Sequence, residues 1–324
     1  MHTPVPIPLA ALQTEQFGRP DGAFLVFASP EARCLGIATR FSNYAANAIY
    51  ILTIGDEVNP QREANIKELR RLCKPVGEIV ECPVRHSDPI FGIGELVRSL
   101  LASSPSGSSI TVDLSTFPKD ALLLTLRAVE RARPECRLRL VYTEPGNYDE
   151  DLIHPITYGL RRVGVVPTFS APYRSQEELV LVIFLGFETD RVLGLWQTIE
   201  PHRTIAIIGH PAYNPCWEGV SERLNAALLA GLEPGDIHKV DPRNPLQAFT
   251  LLKQLVQSEG ECPRSNFYIA PLGTKPEALG VYYFCRYAPS AATVIYASPL
   301  SYSHQYISTG VGPSWVLPSP GPLL

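Results

Sequence analysis

Gly273, Thr274 and Lys275 stand in the run IAPLGTKPEAL (269–279), where an apolar stretch gives way to a helical pattern. These residue types at this spacing could hold an anion. Gly273 has no Cβ, so a ligand oxygen can approach its backbone. Thr274 offers a hydroxyl and Lys275 a compact positive charge. Pro276 suits the first turn of a helix, whose unpaired N–H groups would face the same anion. The competing explanation is an ordinary strand-to-helix turn capped by Thr274, with Glu277 placed by the helix dipole. The full GxxxxGK[ST] phosphate loop is absent.

A related set lies in VDLSTFPKDAL (112–122), where Ser115, Thr116 and Lys119 replace Gly-Thr-Lys and Asp113 ends the preceding strand. Two further loops follow strands, with Ser29, Glu31 and Arg33 in SPEAR (29–33) and Gly186, Glu188 and Arg191 in LGFETDR (185–191). Arg33 and Arg191 fall near a helix start, where a cation opposes the dipole and a nearby anion would explain it. His210, after AIIG, and His304, in YSHQY, are plausible site residues. No residue stands out as a general base, so the catalytic residues are unknown. The seven histidines show no HxH, HExxH or His-Cys spacing, and no metal or cofactor is expected. A GxSxG elbow is missing, and the GIG at 92–94 lies inside an amphipathic stretch rather than after a strand.

These loops must be positioned by the elements between them. Short aliphatic runs alternate with amphipathic stretches, the mark of βα units and a parallel sheet. The strands expected in the first half are AFLVFAS, AIYILTIG, GEIVECPV, SITVDLS and RLRLVYTE; in the second, LVLVIFLGF, TIAIIGH, DIHKVD, NFYIAPL and ATVIYAS. The series align in order. RCLGIA matches RVLGLW, Asn59-Pro60 matches Asn214-Pro215, SDPI matches RNPL, VDLSTFPKDAL matches IAPLGTKPEAL, and YTEPGNY matches YASPLSY. ITYGLRRVGVVP (156–167) matches ISTGVGPSWVLP (307–318) without a gap. Six anchors in one order point to a duplicated segment.

The expected fold is therefore α/β, with two tandem Rossmann-like domains related by a pseudo-twofold duplication. Each is a mostly parallel sheet with a terminal antiparallel strand. The expected boundaries are an N-terminal extension (1–22), a first domain (23–167), a linker (168–178), a second domain (179–318) and a tail (319–324). In open α/β sheets a ligand sits beyond the carboxyl ends of the strands where the strand order reverses, which joins the loops after strands one and four.

Bulk properties narrow the partners. A net charge of −4 and a pI of about 6.0 do not suit a protein that coats duplex nucleic acid, but a small anion needs only a few cations. Seven scattered cysteines without a CxxC fit reduced thiols in a cytoplasmic protein. The N-terminus lacks the basic and apolar regions of a signal peptide, and no apolar run approaches the roughly 20 residues that span a bilayer.

Five βα strands, a terminal antiparallel strand and a GTK-type turn after strand four resemble the CRISPR-associated Rossmann fold (CARF) family and the related SAVED domains. The carried residues are Gly273, Thr274 and Lys275, more loosely Ser115, Thr116 and Lys119, with Ser29, Pro30, Glu31, Gly186, Phe187 and Glu188 at the other contact position. The resemblance implies sensing of a cyclic oligonucleotide in antiviral defence, with one chain supplying both halves of a pseudo-symmetric cleft. CARF and SAVED proteins commonly carry an effector domain, whereas two copies consume this chain. A standalone sensor or adaptor, acting through an effector protein and with a homo-oligomer left open, is the first reading. A metal-independent ring-nuclease-type phosphodiesterase, a nucleotide- or sugar-phosphate-processing enzyme and an interaction scaffold are the others.

Overall fold

The computed structural model describes residues 5–8, 21–40, 45–54, 59–84, 89–102, 109–147, 157–257, 265–302 and 308–319. In chain order the elements begin with β1 (Ile7–Pro8), β2 (Asp21–Phe27), α1 (Gly36–Arg40), β3 (Ala45–Ile54), α2 (Pro60–Leu72) and β4 (Lys74–Val84). They continue with α3 (Pro89–Ala102), β5 (Ile110–Asp113), α4 (Lys119–Ala132), β6 (Leu138–Asn147) and β7 (Thr157–Val165). Then come β8 (Glu178–Leu185), α5 (Thr189–Ile199), β9 (Arg203–Gly209), α6 (Val220–Leu224), α7 (Ala226–Leu229) and β10 (Ile237–Val240). The last are α8 (Pro245–Gln257), β11 (Ser265–Pro271), α9 (Lys275–Tyr287), β12 (Ala292–Tyr302) and β13 (Thr309–Val316). The N-terminal stretch outside 5–8, Ser87 and Asp88 of SDPI, the polar segments 148–156 and 303–307 with His304, and Cys262 lie outside the described residues.

Two mixed sheets result, consistent with two Rossmann-like domains. One has the order β1-β13-β6-β5-β2-β3-β4, the other β10-β9-β8-β11-β12-β7. Counted within each half of the sequence, both read 3-2-1-4-5. The five strands are parallel, and an antiparallel strand lies outside the fifth. The order reverses between β2 and β5 and between β8 and β11, as expected for the switch point. Parallel strands covered on both faces need near-continuous apolar side chains, and β2 is buried along its whole length. Phe24, Val26, Ile49 and Ile51 pack with Ile66 and Leu69 of α2 in one core. Ile183, Ile207, Leu252, Ile269 and Leu279 are equally buried in the other sheet and its helices.

The closing strands depart from the expected boundaries. The compact units comprise Val5–Asp149 with Ile307–Leu324, and Glu150–Tyr306 with Met1–Pro4. Strand β7, which ends the first half of the sequence, pairs with β12; β13, which ends the second half, pairs with β6. Each half thus lends its last strand to the sheet of the other, where a break at 167 to 179 would leave it at home. Hydrogen bonds hold the chain there. Past β7, Val166 N–H donates to the Val294 carbonyl (2.9 Å) and Val294 N–H to the Phe169 carbonyl (2.8 Å). Leu317 N–H, past β13, donates to the Leu140 carbonyl at 2.9 Å. The glycine shared by the two closing segments has a physical reason: Gly159 and Gly310 take φ of +60° and +69°, a region costly for residues with a Cβ.

One expected helix is broken. GVSERLNAALLA folds as α6 and α7, separated at Asn225, whose amide donates to the carbonyls of Ser221 (2.8 Å) and Gly186 (3.0 Å).

Candidate ligand-binding site

In the unit holding β2 and β5, the switch-point loops are knitted to each other and to β13. Ser29 accepts from Glu31 N–H (3.0 Å), and Glu31 grips the Arg33 guanidinium with two hydrogen bonds of 2.9 and 3.0 Å. Ser308, just before β13, donates to the same Glu31 carboxylate. The loop after β5 is buried: Asp113, Ser115, Thr116 and Lys119 are all less than a tenth exposed. The Thr116 hydroxyl donates to the Phe27 carbonyl, joining the ends of β5 and β2. Ser115 donates to Asp113 Oδ1 and accepts from Thr143 N–H at 2.8 Å. Asp113 Oδ2 has no hydrogen-bond partner among the described residues. Burial raises the Asp113 carboxyl to about 7, against the Ser115 hydrogen bonds and the Arg33 charge. Desolvation likewise pushes the Cys34 thiol up to about 12, so this buried cysteine is an inert core residue.

In the other unit, the loops after β8 and β11 touch. A Cβ on Gly186 would lie 2.8 Å from the Leu272 carbonyl oxygen. Glu188 and Arg191 form a buried ion pair, and Arg191 also donates to the Ala297 carbonyl at 2.5 and 2.8 Å. An anion does lie beside Arg33 and Arg191, and it is the protein's own glutamate.

The turn at 273–275 takes the capped form. Thr274 is the N-cap of α9 and accepts from Glu277 N–H at 3.3 Å, while Glu277 Oε2 accepts from Thr274 N–H at 2.5 Å. The Thr274 hydroxyl donates to the Pro242 carbonyl at 2.8 Å. Gly273 is required because a Cβ there would overlap the Glu277 carboxylate, which is buried. Glu277 therefore fills much of the space over this helix start, and Lys275 stands half-buried beside it.

His210 follows β9. Its Nδ1 lies 2.6 Å from Glu218 Oε1. Glu218, Tyr213 and Arg243 belong to the same neighbourhood and were not singled out in the sequence. Tyr213 donates to the Pro242 carbonyl (2.9 Å), the oxygen that Thr274 also uses, and the Arg243 guanidinium lies 4.7 Å over the Tyr213 ring. The only hint was the turn-rich composition of HPAYNPCWEG, because residues eight apart carry no periodic signal. Among the described residues no three His, Cys, Asp or Glu side chains gather as a metal site would require.

No family model matches the chain, and no curated protein matches it. Its likeness is to solved structures. One is the structure of a type III CRISPR defence DNA nuclease activated by cyclic oligoadenylate, with a TM-score of 0.52 at 10% identity. The alignment covers 85% of this chain and 64% of the nuclease, so this chain spans less than two thirds of it. A second, the cytoplasmic domain of a prokaryotic cation chloride cotransporter, aligns over 87% of this chain and 96% of that one at 11% identity, with a TM-score of 0.26 that carries no weight. The nuclease shares the fold. No helix among the described residues is long and apolar enough to cross a membrane.

Proposed function

We propose that the chain is a CARF-like sensor, built from a duplicated Rossmann-like segment, that binds a cyclic oligoadenylate at switch-point loops beyond the carboxyl ends of its parallel strands. The observation that carries this reading is the repeated 3-2-1-4-5 order. It sets Ser29–Arg33 beside Asp113–Lys119 in one unit and Gly186–Arg191 beside Gly273–Lys275 in the other. Loops at such reversals are where open α/β sheets hold ligands. The ligand class comes from the nuclease of the same fold, which is activated by cyclic oligoadenylate.

Roles divide by burial. Lys275 and the half-buried residues Gly273 and Thr274 are the ligand contacts in one unit, with the half-buried Ser29 their counterpart in the other. Arg33 and Arg191 hold the first loop in shape through Glu31 and Glu188. A sensor of this form would signal through an effector protein.

Isothermal titration with cyclic tri-, tetra- and hexa-adenylate tests the reading. The expected outcome is saturable binding of one ring size, weakened at least tenfold by Lys275→Ala. Silence across all three rings would overturn it.

A further inference from the structure

The two closing strands end their sheets in different ways. Strand β13 carries β1 on its outer edge, with Ile7 opposite Val316 and Pro8 opposite Trp315. Strand β7 is the last of its sheet, and among the described residues no strand pairs with its outer edge. The gapless match of 156–167 with 307–318 sets Gly164 and Val165 against Trp315 and Val316. The pair that β1 covers in one unit is therefore bare in the other. The hydrogen bonds agree with this correspondence, since Val166 N–H donates to the Val294 carbonyl as Leu317 N–H does to that of Leu140. Main-chain groups alternate sides along an antiparallel strand. Val166 turns its N–H toward β12, so Val165 and Val163 turn theirs to the open edge.

The rest of that edge differs in charge. Arg161 and Arg162 stand where the other closing strand has Gly312 and Pro313. Ser298 pairs with Arg162 and Pro299 with Leu160, so Arg161 is the extra residue of a bulge. Bulges re-aim side chains, and both arginines are exposed. Arg161 donates to the Leu300 carbonyl at 3.1 Å, while Arg162 makes no hydrogen bond or ion pair among the described residues. Arg162 lies beside the bare stretch: a Cβ on Gly164 would be 3.4 Å from its Nε. Charges and bulges also guard edges against wrong partners, but this guard stands at 161–162 and leaves Val163–Val165 regular and free of proline. Charge selects the occupant. A second copy pairing β7 with β7 would turn about Arg161, the middle residue of Thr157–Val165, and set arginine against arginine. Like charges directly opposite are destabilising; a carboxylate there is not.

We propose that the outer edge of β7 docks an extended acidic segment of a partner protein, which pairs antiparallel with Val163–Val165 and sets carboxylates on Arg161 and Arg162. Strands added in this way take affinity from main-chain hydrogen bonds and specificity from alternate side chains. The guest carries an aliphatic residue opposite the exposed Val165. Its acidic residues follow toward its C-terminus, because an antiparallel guest runs from Val165 back to Arg161. Strand β1 shows the same mode on β13, where an uncharged edge takes an uncharged guest. The docking needs no bound ring, so it stands or falls apart from the sensor reading.

The test titrates the full chain into a fluorescent synthetic peptide, a run of alternating valine and threonine followed by glutamates, and reads anisotropy. The expected result is saturable binding, weakened about tenfold when lysines replace the glutamates. Arg161→Glu combined with Arg162→Glu should reverse that preference. A glutamate peptide N-methylated on its pairing amides should bind about tenfold more weakly, because it cannot donate to the edge. Val165→Pro removes an N–H that faces the open edge, where proline is tolerated. It should weaken binding to a similar degree and leave thermal unfolding nearly unchanged. Bound peptide should slow amide exchange at Val163 and Val165. If Val165→Pro fails to fold, the N-methylated peptide and amide exchange still decide the matter. Absence of binding by the glutamate peptide would overturn the proposal. Equal binding of the N-methylated peptide would also overturn it, as the mark of charge attraction without an added strand. So would a concentration-dependent dimer of the unaltered chain that Val165→Pro abolishes in sedimentation, since a second copy would then be the occupant.

Discussion

Glu31 and Arg33 lie 2.9 Å apart in a largely buried ion pair, and the other unit repeats the arrangement with Glu188 and Arg191. Arginine near a helix start opposes the dipole, and here a carboxylate two or three residues earlier in the chain offsets it. Taking one partner away leaves a charge in the interior, which costs about 3–5 kcal/mol. Glu188→Ala should therefore lower the urea-unfolding free energy by about 3 kcal/mol. The double change Glu188→Leu with Arg191→Met, which removes both charges, should cost far less. If Arg191 instead served mainly to hold ligand, Glu188→Ala would leave unfolding unchanged.

Gly273 and Glu277 make a similar local pair. The Gly273 position has no room for a Cβ because the Glu277 carboxylate lies against it. Gly273→Ala must push that carboxylate off the Thr274 N–H, and overpacking of this kind costs about 1–3 kcal/mol. Glu277→Ala should cost about 1 kcal/mol through the lost capping interaction. It should also raise the affinity for the ring, because it removes a negative charge beside Lys275. Thermal unfolding and titration of the two variants separate these effects; equal affinity in Glu277→Ala and the unaltered chain would place the ligand away from this helix start.

Much of this was legible from residue order. The aliphatic runs become the parallel strands because a sheet covered on both faces accepts little else, and the alignment of the halves predicts the repeated strand order. The turn was ambiguous in a way the sequence could have resolved: Thr274-Lys275-Pro276-Glu277 has the Thr and Glu spacing of a capping box, and the attraction of a Gly-Thr-Lys cradle obscured it. Asn225 looks like a helix residue in LNAALLA, but its amide is needed by the Gly186 carbonyl far along the chain. The destination of β7 and β13 could not be read at all. The two segments align without a gap and share an Ile, a Gly, a Val and a Pro in one register, so residue order carries no signal of which sheet each one joins.

Asp113 supplies a pH signature. Burial raises its carboxyl from the usual acidic range to about 7, so between about pH 4 and 7 the folded state holds a proton that the unfolded state has lost. Stability therefore falls as pH rises through that window and levels off above it. Asp113→Asn keeps an oxygen for the Ser115 hydrogen bonds and has no carboxyl to titrate. Its unfolding free energy should lose this fall, and it should exceed that of the unaltered chain at pH 8. Parallel curves for the two proteins from pH 4 to 8 would show that Asp113 is ionised throughout.

The exchanged strands give the sharpest test of the architecture. Strand β13 is bound to its sheet by more than main-chain pairing: Trp315 Nε1 donates to Glu144 at 2.6 Å, Thr143 and Ser314 share a hydrogen bond of 2.8 Å, and Arg40 reaches Ser314 and the Val311 carbonyl. A fragment of residues 23–167 carries the five parallel strands of its sheet but lacks β13, leaving the edge of β6 bare, and it carries β7 with no partner sheet. Unpaired edges of this kind invite aggregation. A fragment of residues 150–306 keeps β7 with β12 and retains its whole sheet. The second fragment should unfold cooperatively on heating, and the first should be insoluble or lack a cooperative transition. Adding a peptide of residues 307–319 should recover a folded, soluble 23–147 fragment, since β13 then returns to β6. Cooperative folding of 23–167 alone would mean that β7 can close its own half, and the exchange would then be one of two competing pairings.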